Sequence, residues 1–282
     1  MNIEELRRRA AGIRLIISDM DGTLFRKDKS VSPFSVDIIK KIRQKGINFT
    51  VCTGRSYVWM GRFPDLMGID GAMITSNGCE IVDRGTGEWL YINALSSDNA
   101  ERGFDLCIAH RLNFFAETTE GWIIPDYVPD MDSFAGFYKD LELNGYSQDK
   151  LTRVTCGSQV RDKTVLKLLI WVERGDEGEL MSKFVSEMEG VDCIHSASNI
   201  YELVPAGANK GSAFLKMCGI MGIKPEECCA IGDFDNDLPM MRSSGLSVTV
   251  ANAPDYIRAE ADFVGESNNN DGPARAMQAL FL

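Results

Sequence analysis

The chain has 282 residues, of which 44% are hydrophobic and 25% are charged, and this ordinary globular composition excludes an extensively disordered protein. Its net charge of −11 leaves no basic excess to neutralise phosphates, so we expect no nucleic-acid partner. No apolar run reaches the roughly 18 residues of a membrane span, and the N-terminus shows no signal-peptide core. We therefore expect a cytoplasmic protein without a membrane anchor.

Eight cysteines are distributed through the chain, most of them inside apolar runs. A chain of this length can bury a core without covalent staples, so we expect free buried thiols in a reducing compartment. There is no C-x-x-C pair and no Cys/His cluster, which disfavours a zinc site. The two histidines, His110 and His195, have no partner pattern and are expected to be structural.

Strand and helix patterns alternate in the first part of the chain. IRLIIS predicts a buried strand, and SPFSVDIIKKIRQKG predicts a helix that begins at the N-cap Ser32 and ends at Gly46. INFTVC and DGAMITS predict two further strands, and residues 77–93 predict a hairpin of the same domain. This alternation predicts a parallel α/β sheet whose ligands gather at the carboxyl ends of the strands.

The pattern changes in the middle of the chain. SDNAERGFDLCIAHRL and EGELMSKFVSEM predict helices, NFFAET, GWIIP and TVLKLLIWVE predict strands, and the acidic segment near 130–145 is helical or irregular. The first pattern resumes with the helix NKGSAFLKMCGIMG and the strands CCAIGD, LSVTVA and ADFVG. We therefore predict a core domain in two parts, residues 1–93 and 194–282, with an α+β domain inserted over residues 94–193.

Two carboxylates end the first predicted strand. ISDMDGTL places Asp19 and Asp21 two positions apart, which puts them on one side of an extended segment unless a turn at Gly22 redirects Asp21. Neighbouring carboxylates either hold a hard cation or leave one group ionised and one protonated, which suits a nucleophile and a general acid. An Asp-Gly turn with a purely structural role is the alternative interpretation.

Acidic residues also follow the strand CCAI. Asp233 comes directly after it, and Asp235, Asn236 and Asp237 stand behind. Acidic residues in a first helical turn are also favoured by capping and by the helix dipole, so a structural role stays open. Together with Asp19, this stretch offers a second oxygen ligand for one Mg²⁺.

Phosphate-binding groups are found at two further places. In VCTGRS, Thr53 and the amide of Gly54 can hold phosphate oxygens and Arg55 supplies a fork of donors, although a turn with an exposed arginine is the alternative. In GANKGSAF, Lys210 begins a predicted helix, where the helix dipole disfavours a lysine. A lysine at that position indicates a role toward an anion.

The order DxDGT, TGR, insert, Lys and GDxxND is more specific than any of its parts. It closely resembles the haloacid dehalogenase-like superfamily of phosphatases, and an insert between TGR and Lys resembles the Cof-like branch with a type IIB cap. The resemblance covers essentially the whole chain, strongly over the core motifs and only by size and position over the insert. It implies a Rossmann-like parallel-sheet core with an inserted α+β cap, and a phosphatase of small phosphorylated metabolites, especially sugar phosphates.

The resemblance also implies roles for the acidic residues. Asp19 would attack phosphorus and form an aspartyl-phosphate, and Asp21 would protonate the leaving alkoxide and then deprotonate the hydrolytic water. Mg²⁺ would be held by a carboxylate oxygen of Asp19, the backbone carbonyl of Asp21 and the carboxylate of Asp233. Asp237 would orient the metal shell or bind the metal through water.

The remaining implied roles concern the phosphoryl group and the leaving group. Phosphate contacts are implied for Thr53, Lys210, Asn236 and the backbone amides of Met20 and Gly54. Arg55 and Asn77 are implied to lie toward the leaving group. The insert would close over the strand ends and choose the substrate, with Trp122, Tyr127 and Phe137 either contacting it or packing the insert's own core.

Two other functions fit parts of the pattern. A phosphotransferase or phosphomutase on the same core would differ only in the acceptor of the phosphoryl group. A phospho-receiver signalling domain would use a similar acidic cluster, but it carries its paired acids and its phospho-acceptor on separate strands and has no domain-sized insert. We expect a small phosphorylated molecule as the only partner, and a monomer or weak dimer.

Overall fold

The computed structural model describes residues 2–128, 150–172, 175–197 and 200–282. The strands are β1 (Leu15–Ser18), β2 (Asn48–Val51), β3 (Ala72–Thr75), β4 (Glu80–Asp83), β5 (Trp89–Ile92), β6 (Asn113–Thr118), β7 (Trp122–Pro125), β8 (Leu151–Val154), β9 (Val165–Trp171), β10 (Val191–Ala197), β11 (Ile200–Pro205), β12 (Cys228–Ile231), β13 (Leu246–Thr249) and β14 (Phe263–Val264). The α-helices are α1 (Ile3–Ala10), α2 (Pro33–Gln44), α3 (Phe63–Met67), α4 (Ser97–Ala109), α5 (Gly175–Ser186), α6 (Lys210–Met221), α7 (Leu238–Ser243), α8 (Asp255–Glu260) and α9 (Gly272–Phe281).

The chain folds into two compact units. The first contains Met1–Gly54, Phe63–Leu90 and Asn209–Leu282, and the second contains Arg55–Arg62 and Tyr91–Ala208. The second unit therefore runs beyond the predicted end of the insert at residue 193. The reason is that β11 pairs antiparallel with both β9 and β10, which ties it to the insert's sheet.

The first unit is built on a parallel sheet with the strand order β14-β13-β12-β1-β2. Strand β1 is an interior strand, flanked by β12 and by the edge strand β2, and every residue of β1 is buried. Helix α2 begins as predicted, because the Ser32 side chain accepts a hydrogen bond from the N–H of Ser35 and Pro33 stands in the first turn. The predicted Rossmann-like core is confirmed.

Strand β3 differs from its predicted place in this parallel sheet. It pairs antiparallel with β4 in the sheet β3-β4-β5, which forms the predicted hairpin. Its link to β2 is an isolated parallel bridge between Cys52 and Ile74. Thr50 of β2 also donates its hydroxyl to the backbone oxygen of Ala72 in β3 at 2.6 Å, so the two strands are neighbours without a full backbone ladder.

The second unit contains a mixed sheet with the order β10-β11-β9-β6-β7-β8, antiparallel except between β7 and β8. Helices α4 and α5 pack on this sheet through a core that includes Phe104, Met181 and Leu168. The predicted α+β insert is confirmed, although the pattern did not predict β8, β10 or β11. Among the described residues, no helix combines the length and the apolarity that a membrane crossing requires.

The aromatic candidates of the insert lie in its own packing. Trp122 is buried with Phe115 and Ile124, and Tyr127 packs against this cluster. The Tyr127 hydroxyl donates to the backbone oxygen of Leu112 at 2.8 Å. This packing supports the structural interpretation of both residues, while Phe137 and the segment near 130–145 lie outside the described residues.

Candidate functional site

A buried lysine joins two aspartates at the carboxyl edge of the parallel sheet. Lys210 Nζ donates to Asp19 Oδ1 at 2.5 Å and to Asp237 Oδ1 at 2.6 Å. The exposed fractions are 1% for Lys210, 5% for Asp19 and 1% for Asp237. Ion pairs taken this far out of water are costly unless their geometry is close to ideal, and such a cluster at the end of a strand is a candidate functional site.

Three secondary-structure elements bring these side chains together. Asp19 follows β1, and its N–H donates to the backbone oxygen of Ile231, which extends the pairing of β1 with β12 by one residue. Lys210 is the first residue of α6, whose N-cap Asn209 accepts from the N–H of Ser212 at 2.9 Å. The structure therefore brings Asp19, Lys210 and Asp237 together at this sheet edge.

The loop after β12 is held by Asp237. Its second carboxylate oxygen, Oδ2, accepts from the N–H groups of Asp233 at 2.9 Å and Phe234 at 3.1 Å. Gly232 makes this close approach possible, because a Cβ at that position would lie 2.4 Å from the Cβ of Asp237. Sequence reasoning did not single out Gly232; its place between a strand and an acidic loop was the available signal.

The turn after Asp19 is fitted closely to Asp233. The Thr23 hydroxyl donates to Asp233 Oδ1, so Thr23 is a further site residue that the motif DGT signalled and the sequence interpretation did not use. Gly22 has a φ of +85°, and a Cβ there would lie 2.5 Å from Asp233 Oδ2. Gly22 is therefore required both for its backbone conformation and for the space that Asp233 occupies.

We expect Gly22→Ala to disturb the site, and Gly46→Ala is its matched control. Gly46 has a similar φ of +83°, but a Cβ there would meet nothing within 4 Å. Gly46→Ala should lose only the free energy that a positive φ costs an alanine, about 1 kcal/mol of unfolding free energy, and it should keep full activity. Gly22→Ala should lose more stability and most of its turnover, as measured by denaturant unfolding and phosphate release. Equal effects of the two changes would contradict the steric argument.

Asp21 is more exposed than Asp19 and has a different partner. Its Oδ1 lies 2.6 Å from Lys29 Nζ, and its side chain is 36% exposed, whereas Asp19 is buried. The two aspartates therefore have different surroundings. A half-exposed carboxyl group is accessible to the solvent and to an incoming ligand.

A second group of polar residues lies in the same unit. Asn236 Nδ2 donates to Asn77 Oδ1 at 3.1 Å, and a Cβ at Gly54 would lie 3.2 Å from that same oxygen. The N–H of Asn77 donates to the backbone oxygen of Thr53 at 2.9 Å. The structure therefore groups Asn77, Asn236, Gly54 and Thr53, which follow three different strands. Asn236 joins this group to the first, because it directly precedes Asp237.

Burial and like charges dominate the electrostatics of the site. Burial raises the pKa of Asp19 well above its ordinary value, with Asp237 and Asp233 adding to the rise and Lys210 opposing it. Burial also raises the pKa of Asp233 to about 6, while the hydrogen bond from Thr23 opposes this rise. For Lys210, burial opposes the charged form, but Asp19 and Asp237 raise its pKa above the ordinary value. The ammonium group therefore stays charged.

The acidic cluster has the chemistry of a cation site. One carboxylate oxygen from each of Asp19, Asp233 and Asp237 lies within 4.8 Å of the others. Three carboxylates face one ammonium group, so negative charge is in excess, which adds to the rise in the pKa values of Asp19 and Asp233 that burial causes. Clustered carboxylate oxygens suit a hard divalent cation such as Mg²⁺. The residues present fit the predicted metal.

For two predicted site residues, the contacts in the structure do not bear on the implied role. Arg55 belongs to the second unit, where its guanidinium lies 5.3 Å from the ring centroid of Trp59. Met20 is buried, and its backbone oxygen accepts from the N–H of Phe25 at 2.7 Å. The implied contact of Arg55 with a leaving group and that of the Met20 amide with phosphate stay predictions.

Comparison with known proteins gives the family and the fold. A family model described as haloacid dehalogenase-like hydrolase matches residues 16–277. The chain is 25% identical over 277 residues to the 5-amino-6-(5-phospho-D-ribitylamino)uracil phosphatase YcsE of Bacillus subtilis, covering 98% of this chain and 99% of that protein. It is 27% identical over 251 residues to the HMP-PP phosphatase of Escherichia fergusonii, covering 88% of this chain and 87% of that protein.

The fold is similar to that of solved structures in the same family. A haloacid dehalogenase-like hydrolase from Bacteroides thetaiotaomicron superposes with a TM-score of 0.82 at 24% identity, covering 95% of this chain and 100% of that one. The match supports the same core and insert architecture, and the family model spans both parts of the core. The resemblance inferred from the five motifs is confirmed, and the chain belongs to the haloacid dehalogenase-like hydrolases.

Proposed function

We propose that this protein is a Mg²⁺-dependent phosphatase that hydrolyses small phosphomonoesters through an aspartyl-phosphate on Asp19. The observation that carries the proposal is the buried contact of Lys210 with Asp19 and Asp237, beside Asp233. This arrangement fixes a carboxylate nucleophile next to a permanent positive charge. Phosphoryl transfer depends mostly on such positioning and charge neutralisation.

Asp19 would be the nucleophile. Lys210 donates to its Oδ1, which supports the proposal by restraining the carboxylate, and Oδ2 would be the attacking atom. The ammonium group keeps Asp19 from carrying an uncompensated charge in a buried setting. Attack on phosphorus forms the acyl-phosphate bond, and the bond to the leaving alkoxide breaks.

Asp19 and Asp233 would hold Mg²⁺, with Asp237 orienting the shell and the backbone carbonyl of Asp21 contributing as the resemblance implies. When bound, the cation supplies the positive charge that lets an anionic carboxylate approach an anionic phosphoryl group. Asp237 keeps both oxygens on protein donors, one on Lys210 and one on the amides after β12, which suits an orienting role.

Asp21 would move the protons. Its half-exposed carboxyl group can give a proton to the leaving oxygen and then take one from the attacking water, with Lys29 as its resting partner. Thr53, Gly54 and Asn236 would bind the oxygens of the transferring group. No histidine is needed for this division of roles.

Our proposal for the substrate class is based on similarity to other members of the family and not on any particular residue of this chain. One relative is named for a phosphate on a ribitylamino chain, which supports our proposal of phosphorylated sugars and related polyols as substrates. Three expectations stay predictions: that the insert selects the leaving group, that the protein is cytoplasmic, and that it is a monomer or a weak dimer.

A panel of phosphorylated metabolites, assayed with Mg²⁺, tests the reaction and its substrate together. Release of inorganic phosphate from a sugar phosphate is the expected result. Conversion to an isomeric sugar phosphate without release would instead support a phosphomutase. A phosphoenzyme that persists for minutes without turnover would support a phospho-receiver. Turnover of unrelated phosphomonoesters alone would overturn the sugar-phosphate proposal.

We expect Mg²⁺ to stabilise the chelator-treated protein, and Asp233→Asn to remove most of this effect. Binding to the folded state alone adds about 2.7 kcal/mol of stability at a cation concentration of 100 Kd. Asp235→Asn is the matched control, because Asp235 lies two residues away, is exposed and accepts from the Tyr256 hydroxyl. Thermal unfolding with and without Mg²⁺ measures the difference. Equal stabilisation of both variants would exclude Asp233 as a ligand, and no effect of EDTA on wild-type turnover would exclude the metal.

A further inference from the structure

Two cysteines meet beneath the surface of the first unit, away from the acidic cluster. Cys218 lies near the end of α6 and Cys228 begins β12, and their Sγ atoms are 3.7 Å apart. Both side chains are buried and both thiols are free. We propose that Cys218 and Cys228 form a reversible disulfide under peroxide, so that the pair is a redox modification site of this core.

The distance between the sulfurs is the first support. A disulfide requires a separation of about 2.05 Å, so the sulfurs must approach by less than 2 Å, which side-chain rotation and a small shift of the helix end can provide. The two residues are ten positions apart, and they are joined by the exposed turn that contains Gly222 and Lys224. Gly219 and Ile220, which follow Cys218 in α6, are exposed.

The two thiols have different hydrogen-bonding partners, which suits them to different roles. Their mutual hydrogen bond lowers the pKa of Cys218 from its ordinary value and raises that of Cys228. The Cys228 Sγ lies 3.4 Å from the backbone oxygen of Lys224, and the Cys228 thiol can donate a hydrogen bond to that oxygen. Cys218 is therefore the attacking thiolate and Cys228 the resolving thiol.

The oxidation balances with hydrogen peroxide as the oxidant. The Cys218 thiolate attacks one peroxide oxygen, an S–O bond forms as the O–O bond breaks, and hydroxide leaves with a proton as water. The Cys228 sulfur then attacks the Cys218 sulfenic acid, an S–S bond forms as the S–O bond breaks, and a second water leaves. Two thiols and one peroxide thus become one disulfide and two waters.

The place of the pair decides its effect. Lys210 begins the same helix eight residues earlier, about 12 Å along its axis, and Asp233 lies beyond the opposite end of β12. The cross-link would therefore join α6 to β12 at the end remote from the acidic cluster. We expect it to raise the unfolding temperature by about 5 °C or more, and to change turnover less than two-fold.

The test treats the reduced full-length protein with hydrogen peroxide and maps the products by peptide mass spectrometry. The expected result is one cross-linked peptide pair containing Cys218 and Cys228, the loss of two hydrogens, the rise in unfolding temperature, and reversal by a phosphine reductant. Cys218→Ser and Cys228→Ala should each abolish the cross-link and the temperature rise. Cys229→Ser and Cys156→Ser are the controls and should retain both.

Each alternative product would overturn the proposal. These products are a disulfide that involves Cys229 or Cys156, sulfinic acid on Cys218 without a cross-link, or two unreacted thiols after complete oxidation of Cys156. Mapping of the wild-type protein decides the matter even if one of the two cysteine variants fails to fold. If the disulfide lowered turnover more than ten-fold, the inference that the cross-link changes stability and not activity would be wrong.

Discussion

Asp19→Asn should abolish turnover while leaving the core folded. Asparagine keeps the shape of aspartate and a carbonyl oxygen that can accept from Lys210 Nζ, so the contact at 2.5 Å can persist. An amide does not attack phosphorus, and the loss expected when a covalent nucleophile is removed is roughly 10⁴-fold or more in kcat. Initial rates of phosphate release with p-nitrophenyl phosphate measure it.

The fold of this variant is expected to be intact. In the absence of metal, the variant should be at least as stable as the wild type. Repulsion among the clustered carboxylates adds to the raised pKa values of Asp19 and Asp233, and the substitution removes one of these three charges. Asp37→Asn on the exposed face of α2 is the matched control and should keep full activity. Residual turnover within 100-fold of the wild type would remove Asp19 from the nucleophile role.

Lys210→Met should cost both stability and activity. Removing the ammonium group leaves Asp19 and Asp237 buried without their counter-charge, and breaking a buried pair in this way costs about 3–5 kcal/mol. Turnover should fall at least 100-fold, since the charge that orients Asp19 and offsets the phosphoryl oxygens is lost. Denaturant unfolding and phosphate release give the two measurements.

Two comparisons isolate the charge effect. Lys41→Met breaks an exposed pair with Asp37 on α2 and should cost only about 0.3–0.5 kcal/mol. Adding Asp19→Asn to Lys210→Met should recover part of the lost stability, because one uncompensated carboxylate disappears. Strict additivity of the two changes would show that their contact in the structure carries no energy.

Much of the core could be predicted from sequence because local signals and the fold agree there. The buried run before Asp19, the Ser32 cap and the strand before Asp233 each specify an element by themselves. Parallel pairing then requires that the carboxyl ends meet at one edge. The proximity of Asp19 and Asp237 follows from β1 and β12, although the two residues lie 218 positions apart in the chain.

The features that the sequence did not predict depend on contacts between residues distant in the chain, or on how closely two residues approach each other. The pairing of Asp21 with Lys29 is set by the path of the turn, and no pattern in DMDGT specifies it. Gly232 is needed only because the Cβ of Asp237 approaches it, which a strand pattern does not reveal. Strand β11 was not predicted because its polar residue Glu202, which is buried beside Lys167, interrupts the apolar alternation of the strand.

The central claim is that Asp19 carries the phosphoryl group during turnover. The most direct measurement is acid quenching within milliseconds of mixing the enzyme with Mg²⁺ and p-nitrophenyl phosphate, followed by borohydride reduction and peptide mass spectrometry. The account predicts homoserine at position 19, formed only when substrate is present and absent in Asp19→Asn. Rapid turnover with no modification at position 19, or with modification at Asp233 instead, would contradict it.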